Sequence, residues 1–180
     1  MSTAQQEHEA KFRLREPRSS ACIRVVQDTT KVDGLGGEVW VGALVLCEFL
    51  EAHDQEVVQG RDVIELGAGC GLCGLVAATL GAKTVVLTDE YPTYSREISP
   101  RTSTFGMTAR LTVDYLGELE WGVSASIAPF VHKFDTMVGS EITQLGRDLH
   151  IPLLETIRST RLWHYCQWIL AKPLVKGHAT

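Results

Sequence analysis

Three closely spaced glycines are the residues of this sequence best suited to holding a ligand. Gly67, Gly69 and Gly71 alternate with small residues and follow directly on the apolar run 63–66. Because glycine has no Cβ, such a loop can turn sharply and let its backbone lie against a bound molecule. Residues 72–80 then predict a helix whose N-terminal N–H groups face the same molecule.

A carboxylate follows this unit at an informative distance. The second apolar run, residues 84–88, ends in Asp89, about twenty residues after the glycines. In a βαβ unit, a carboxylate at this position lies beside the glycine loop and accepts hydrogen bonds from both hydroxyls of a ribose. The spacing therefore predicts a nucleoside-cofactor site.

The same glycines fit two different spacings. Gly69, Gly71 and Gly74 match the dinucleotide fingerprint, which together with Asp89 predicts a nicotinamide-dependent oxidoreductase. Glu65 followed by alternating glycines resembles instead the first motif of the seven-β-strand S-adenosylmethionine-dependent methyltransferases. No convincing catalytic pair of tyrosine and lysine follows the nucleotide unit, and this weighs against the oxidoreductase.

Length and charge restrict the class of protein. A chain of 180 residues with 44% hydrophobic content suits one globular domain with a substantial core. Its 17 Lys and Arg against 22 Asp and Glu give a net charge of −5. A mildly acidic protein is a poor candidate for non-specific binding to nucleic-acid phosphates. We expect a protein or small-molecule substrate rather than nucleic acid.

The cysteines and apolar runs bear on the compartment. An odd number of cysteines, five, predicts a reducing compartment rather than a disulfide framework. Residues 1–11 lack the features of a signal peptide, and the longest apolar run, 39–47, is far shorter than the roughly 20 residues that span a bilayer. We expect a cytoplasmic or nuclear protein without a membrane span.

One pair of cysteines has the spacing of a redox or zinc motif. Cys70 and Cys73 are three residues apart, but no second pair follows them. We interpret both as small buried residues in a tight turn. The histidines form no ligand cluster, so no metal is expected.

The remaining elements follow from the spacing of apolar residues. We interpret residues 1–11 as a flexible N-terminal tail and 12–180 as a single domain with an atypical segment at 160–180. Residues 90–107 predict an irregular connection, and 160–171 can supply one strand or one helix. The other predicted elements are a hairpin of strands at 12–14 and 22–26, a helix from Glu38, strands at 111–116 and 134–138, and a helix over 148–159.

Two tryptophans and a glutamate lie where predicted elements begin or end. Trp40, in the first turn of the helix from Glu38, is either a core anchor or an aromatic wall of the ligand pocket. Trp121, beyond the strand at 111–116, either closes the core or flanks a flat base. Glu141 follows the next strand at its carboxyl end, where ligands bind in open α/β sheets.

Taken in order, these segments resemble the non-histone protein lysine methyltransferase group of the seven-β-strand, class I, S-adenosylmethionine-dependent methyltransferases. The resemblance runs from about residue 12 to residue 160. It implies an α/β fold with a Rossmann-like sheet and helices on both faces, S-adenosyl-L-methionine as cofactor, and a protein substrate that bears a target lysine. The segments that carry it are 38–40, 65–71, Asp89, 119–122 and 134–141.

The resemblance also implies roles for the residues around the cofactor. Gly67, Gly69 and Gly71 would approach its aminoacyl part, and Asp89 would take the ribose. Glu65 would lie near the sulfonium, because an anion favours a nearby cation.

Further roles follow for the aromatic and acidic candidates. Trp121 would lie by the adenine and Trp40 would line the pocket. Glu141 is the catalytic candidate, since a carboxylate there can hold the lysine amine while its proton is lost. Gln144 stands where the family has a tyrosine, and the connection after Asp89 lacks the usual asparagine-bearing helix.

The C-terminal part differs most from the family. The family continues with a fifth strand, a helix and two antiparallel strands, so we expect a truncated chain that lacks the last strands. An open sheet edge of this kind favours a partner that covers it. A non-catalytic truncated relative that acts as a binding or regulatory module is therefore the alternative function. Methylation of a small molecule or RNA also stays open, because fold does not fix substrate.

Overall fold

The protein consists of a parallel sheet with helices on both faces and a small antiparallel sheet beside it. The α/β fold class predicted from the sequence is confirmed. The computed structural model describes residues 8–15, 22–27, 35–90, 104–105, 113–144, 147–160 and 168–171.

The antiparallel sheet is built on an N-terminal hairpin. Strand β1 (His8–Arg13) pairs with β2 (Cys22–Gln27), which also pairs with the short β5 (Thr104–Phe105). The predicted hairpin is confirmed, but it begins earlier than expected: residues 8–11, assigned to the flexible tail, are part of β1. The alternation of Phe12, which is buried, with exposed Lys11 and Arg13 gives this strand one core-facing side.

The main sheet has five strands in the order β6-β4-β3-β7-β8, and every neighbouring pair is parallel. The chain runs outward from β3 through β4 to β6 and then returns to the other side of β3. Near-continuous burial along β3 and β7 is typical of strands covered on both faces. The five strands are β3 (Asp62–Leu66), β4 (Thr84–Asp89), β6 (Val113–Glu118), β7 (Thr136–Ser140) and β8 (Trp168–Ala171).

Helices cover both faces of this sheet. Helices α1 and α3 pack against each other within the larger core cluster, whereas α5 packs on the other face through Leu153 and Ile157. The α-helices of the described residues are α1 (Val41–Ala52), α2 (Asp54–Val57), α3 (Leu72–Thr79), α4 (Ser124–Ile127) and α5 (His150–Ser159).

Several boundaries differ from the sequence prediction. Helix α1 begins at Val41 rather than Glu38, and β7 begins at Thr136 rather than at residue 134. The helical spacing of Leu149, Leu153, Leu154 and Ile157 predicts one apolar face for the helix over 148–159. This prediction is partly wrong, because Leu154 is 50% exposed. The buried face of α5 runs through Leu153 and Ile157, and Leu154 lies about 100° around the helix from Leu153.

The C-terminal part of the described chain resolves one alternative. Within the segment 160–171, residues 168–171 form the parallel strand β8, so the strand interpretation is confirmed. The described residues include neither of the two antiparallel strands that close the sheet in the resembled family. Of the predicted irregular connection at 90–107, residues 91–103 and 106–107 lie outside the described residues.

The described residues carry no membrane or metal signal. None of the helices in those ranges is long and apolar enough to cross a bilayer. The same ranges contain no group of three or more His, Cys, Asp or Glu side chains arranged to hold a metal ion.

Gly74 lets α3 pack closely against the sheet, and its replacement is our first prediction. A Cβ at this position would lie 2.1 Å from Leu87 Cδ2 and 2.8 Å from Glu65 Oε2. Gly74→Ala gains about 1 kcal/mol of helix propensity, but overpacking into contacts this short costs about 2–3 kcal/mol, the upper part of the usual range. We expect a net loss of about 1–2 kcal/mol in the free energy of unfolding, measured in urea.

A double variant tests the cause of that loss. If the Leu87 side chain is the obstacle, adding Leu87→Ala makes room for the methyl group that Gly74→Ala introduces. The two substitutions together should then cost less than the sum of their separate costs. Strict additivity, or a Gly74→Ala protein as stable as the wild type, would contradict the packing argument.

Candidate functional site

The candidate site lies at the carboxyl edge of the main sheet, where the chain reverses its order. Strand β3 continues into the glycine loop, its neighbour β4 ends at Asp89, and on the other side β7 is followed directly by Glu141. Open α/β sheets bind ligands at this kind of switch point. The sequence prediction that these residues share one edge is confirmed.

The glycine loop adopts a backbone that side chains would disfavour. Gly67, Gly69 and Gly71 have φ angles of +60°, +49° and +74°, in the left-handed region that glycine reaches without steric cost. Ala68 N donates to Thr88 O at 2.9 Å, which ties the start of the loop to β4. The predicted sharp turn is therefore present.

Asp89 lies directly against this loop. Its Oδ2 accepts a hydrogen bond from Gly69 N at 2.8 Å, so the predicted proximity of carboxylate and glycines is confirmed. A carboxylate has about four lone-pair positions. The backbone bond to one oxygen is therefore compatible with a ribose hydroxyl that donates to the same side chain.

A turn from the N-terminal part of the chain packs on the other side of the loop. A Cβ at Gly69 would lie 2.8 Å from Gly36 O, and the Cys70 thiol donates to the same carbonyl at 3.5 Å. The adjacent Val39 N donates to Gln27 Oε1 at 2.8 Å, which joins this turn to β2. The sequence pattern marks residues 34–37 only as a loop, and its three glycines are the one signal of close packing.

Trp121 and Ile142 lie beside Gly67. A Cβ at Gly67 would be 2.7 Å from Ile142 Cγ2 and 3.7 Å from Trp121 Cζ2. Trp121 is half-buried and packs on the core cluster that contains Leu153, so it contributes to the core while it contacts the loop. Its contact with adenine stays a prediction. The sequence pattern did not predict Ile142, whose contact depends on the turn after β7.

Glu65 has a different place from the one the resemblance implies. It is 2% exposed, and its Oε2 accepts a hydrogen bond from Gly74 N at 2.8 Å. The first N–H groups of a helix lack partners within the helix, and Glu65 supplies one for α3. The carboxylate thus lies inside the protein rather than on the open surface of the site.

The burial of Glu65 changes its titration. Desolvation by burial is the largest cause that raises the pKa of its carboxyl from the ordinary 4.5 to about 8. The hydrogen bond from Gly74 N–H lowers the pKa by a smaller amount, and the charge of Asp89 raises it. Between about pH 4.5 and about pH 8, the Glu65 carboxyl is therefore protonated in the folded chain and ionised in the unfolded chain.

The raised pKa predicts a pH-dependent stability. The contribution of Glu65 to the free energy of unfolding is fully present below its unfolded value of 4.5 and falls as the pH rises through about 8. A Glu65→Gln protein keeps an acceptor for Gly74 N but lacks this titration. Relative to the wild type, it should gain at least about 1 kcal/mol between about pH 5 and about pH 9 in urea unfolding. A difference independent of pH would show that Glu65 is ionised in the folded protein.

Glu141 contacts the beginning of α1. Its Oε1 accepts a hydrogen bond from Gly42 N at 2.5 Å, and its own φ of +57° is unusual for a residue with a side chain. Trp40 is the N-cap residue of α1 and is 40% exposed. The core-anchor interpretation of Trp40 is therefore wrong, because its side chain lies at the surface at the start of α1.

Neither Cys70, in the glycine loop, nor Cys73, which lies in the first turn of α3 rather than in the turn before it, has the features of a reactive thiol. Both Cys70 and Cys73 are buried. Burial raises the pKa of Cys70 to about 12. The pKa of Cys73 lies well above its ordinary value because of its hydrogen bond with Cys47 and its burial. Because the thiolate is the nucleophile and the metal ligand, the geometry agrees with the structural interpretation of this pair.

The arrangement gathers most of the candidates in one place. The glycine loop lies against Asp89 at Gly69 and beside Trp121 and Ile142 at Gly67. Ile142 directly follows Glu141 in the chain. Glu65 is the exception, because it is turned into the core.

A family model and individual relatives indicate the same protein family. Residues 18–158 match the model of a family described as lysine methyltransferase. The protein N-lysine methyltransferase METTL21A of Danio rerio is 36% identical over 141 residues, 75% of this chain and 59% of that protein. The EEF1A lysine methyltransferase 3 of Mus musculus is 32% identical over 128 residues, 69% of this chain and 50% of that protein. The chain thus spans little more than half the length of these relatives.

One solved structure shows the same fold. The 16S rRNA N2 G1207 methyltransferase RsmC of T. thermophilus, in complex with AdoMet and guanosine, aligns with 94% of this chain and 43% of its own. The TM-score is 0.55 at 19% sequence identity. This likeness supports the Rossmann-like methyltransferase fold.

Proposed function

The chain belongs to the lysine methyltransferase family, and from this premise we propose that it transfers a methyl group from S-adenosyl-L-methionine to a lysine side chain of a protein. One observation carries the proposal: the hydrogen bond from Gly69 N to Asp89. It joins the glycine loop to the carboxylate that we propose binds the ribose, at the edge of the sheet where Glu141 also lies.

The residues present fit this cofactor. The positive φ angles of Gly67, Gly69 and Gly71 form the sharp turn that lets a backbone approach a bound molecule, whereas the Cβ positions of Gly67 and Gly69 face Ile142 and Gly36 rather than a ligand. Asp89 supplies the acceptor for the ribose, and Trp121 offers an aromatic ring next to the loop. A cationic sulfonium also suits a site whose charged candidates are all carboxylates.

Glu141 is proposed as the residue that binds the target lysine. S-adenosyl-L-methionine supplies an activated methyl group when it is bound. The carboxylate of Glu141 would hold the lysine ammonium by a charge-assisted hydrogen bond and keep the amine in position after its proton has left. Positioning of this kind is a large part of the catalysis of a two-reactant transfer.

Binding and transfer can be tested separately. Calorimetry with S-adenosyl-L-methionine, and with NAD as the competing nucleotide, tests the cofactor. Incubation with labelled S-adenosyl-L-methionine and a cell extract then tests for a labelled protein band whose label resides on lysine. Binding of NAD in place of S-adenosyl-L-methionine, or label found only on RNA or small molecules, would refute the proposal.

A regulatory module is the second candidate. It is favoured by Gln144, which stands where the resembled family has a tyrosine. Such a module would bind cofactor or partner proteins without transferring a methyl group, and the same labelling experiment distinguishes the two.

We propose a reducing compartment, the cytoplasm or the nucleus, for either function. The support is chemical: Cys22, Cys47, Cys70 and Cys73 all carry free thiols in the part of the chain that the structure describes.

A further inference from the structure

The outer face of α1 carries a continuous row of apolar side chains. Val41 is 62% exposed, Val45 47% and Phe49 38%, and these residues recur every four positions along the helix. Leu44 is 38% exposed and Trp40 40%. Residues four apart lie on the same side of a helix, so Val41, Val45 and Phe49 form one row, and Trp40 and Leu44 form a second row beside it that ends at Glu48. These five apolar residues are here called the α1 stripe.

Among the described residues, the Phe49 ring stacks on His53 at the end of this surface, whereas Val41, Leu44 and Val45 stay exposed. The opposite face of α1 already anchors the helix in the core through Leu46, Cys47 and Leu50, each 0% exposed. A surface helix normally carries polar residues on its outer face. Exposed apolar residues that adjoin one another are typical of an interaction surface, whereas isolated ones are ordinary.

The stripe begins at the proposed catalytic residue. Gly42, within its first turn, donates its N–H to Glu141 Oε1. The Glu141 carboxylate therefore lies at the N-terminal end of α1, the end at which Trp40 and Val41 begin the stripe. A molecule lying along the stripe would have one end at Glu141.

The charges at the two ends of the stripe differ. Near its start, Glu38 is exposed and Glu141 is half-buried. Near its end, Glu48 and Glu51 lie 3.4 Å and 3.9 Å from nitrogen atoms of Arg15. Helix α1 itself contains no Lys or Arg. The end beside the site is thus the one that complements a cationic ligand.

We propose that the α1 stripe is the docking surface for the substrate protein, which lays an apolar segment along the helix and places the target lysine at Glu141. This inference rests on the proposed function and adds the kind of substrate: a lysine in a basic stretch next to an apolar helical segment. From residue 40 to residue 49 the stripe extends about 14 Å. This length matches two to three turns of a partner helix, whose apolar residues would recur every three or four positions.

The test uses a synthetic probe, because the natural substrate is unidentified. The probe is a fluorescent amphipathic peptide with leucines along one helical face, arginines on the other face and one lysine one turn before the first leucine. A second peptide has serine in place of each leucine and the same charge. Fluorescence anisotropy on the full chain gives the dissociation constant of each peptide.

The variants compare two exposed apolar positions. Val45→Asp introduces a charge in the middle of the stripe, and the matched control Leu154→Asp does the same on α5, where the wild-type residue is 50% exposed. We expect the leucine peptide to bind the wild type and the Leu154→Asp protein alike, and to bind the Val45→Asp protein about tenfold or more weakly. Circular dichroism and urea unfolding check that both variants fold.

Each result decides the proposal. Equal binding to both variants, equal binding of the serine peptide, or no binding would overturn it. A wild-type chain that is dimeric by light scattering and becomes monomeric with Val45→Asp would assign the stripe to a second copy instead. Cofactor calorimetry and methyl transfer to the peptide are measured in parallel. Docking without transfer would refute the proposed function alone, and transfer that does not depend on Val45 would refute the docking surface alone.

Discussion

Asp89→Ala is expected to weaken S-adenosyl-L-methionine binding by about a hundredfold, which is about 3 kcal/mol. The substitution removes the acceptor of Gly69 N–H and the carboxylate proposed to accept the ribose hydroxyls. Both losses act on the bound state, because the loop loses its support and the sugar loses its partner. Calorimetry with the purified variant measures the change in dissociation constant.

Asp89→Asn separates these two losses. The amide oxygen can still accept from Gly69 N, but the side chain has no charge and only one carbonyl acceptor. We expect this variant to bind about tenfold more weakly than the wild type, between the wild type and Asp89→Ala. If all three proteins bind alike, Asp89 supports the fold only and the ribose lies elsewhere.

Glu141→Gln is expected to lower the rate of lysine methylation by about 10²–10³-fold without weakening cofactor binding. Glutamine retains an oxygen that can accept from Gly42 N, so the beginning of α1 keeps its partner. What disappears is the negative charge that would hold the lysine ammonium. Single-turnover transfer to a methyl-accepting protein, together with calorimetry, measures both quantities.

The prediction requires that the methylation rate falls while the affinity for the cofactor stays the same. A loss of cofactor affinity would show that Glu141 supports the loop, through its neighbour Ile142, rather than the lysine. An unchanged rate would mean that another residue holds the amine. A matched comparison is Glu56→Gln on α2, which removes an exposed charge outside the site and outside the α1 stripe and should leave both quantities unchanged.

The part of the site that was predictable from sequence depends on local chemistry. Positive φ angles at Gly67, Gly69 and Gly71 require glycine, so the residue types themselves indicate the turn. The spacing to Asp89 follows from the length of one βαβ unit. Both features therefore appear in a single stretch of sequence.

The remainder depends on contacts between distant segments. Alternation along β3 predicts that Glu65 is on one face of the sheet, but not that α3 lies close enough to take its carboxylate. The contact of Gly36 with Gly69 joins segments 33 residues apart by sequence number and has no periodic signal. The exposure of Leu154 likewise depends on which side of α5 meets the sheet.

The turn over the glycine loop has a consequence for the whole N-terminal region. Gln27 at the end of β2 accepts from Val39 N, and the adjoining turn places Gly36 O against Gly69. The hairpin thus supports the glycine loop structurally, although it contributes none of the proposed site residues. An affinity tag or a deletion at the N-terminal hairpin is therefore expected to change the affinity of the candidate site for its nucleotide. Binding constants should be compared only between proteins with the same N-terminal sequence.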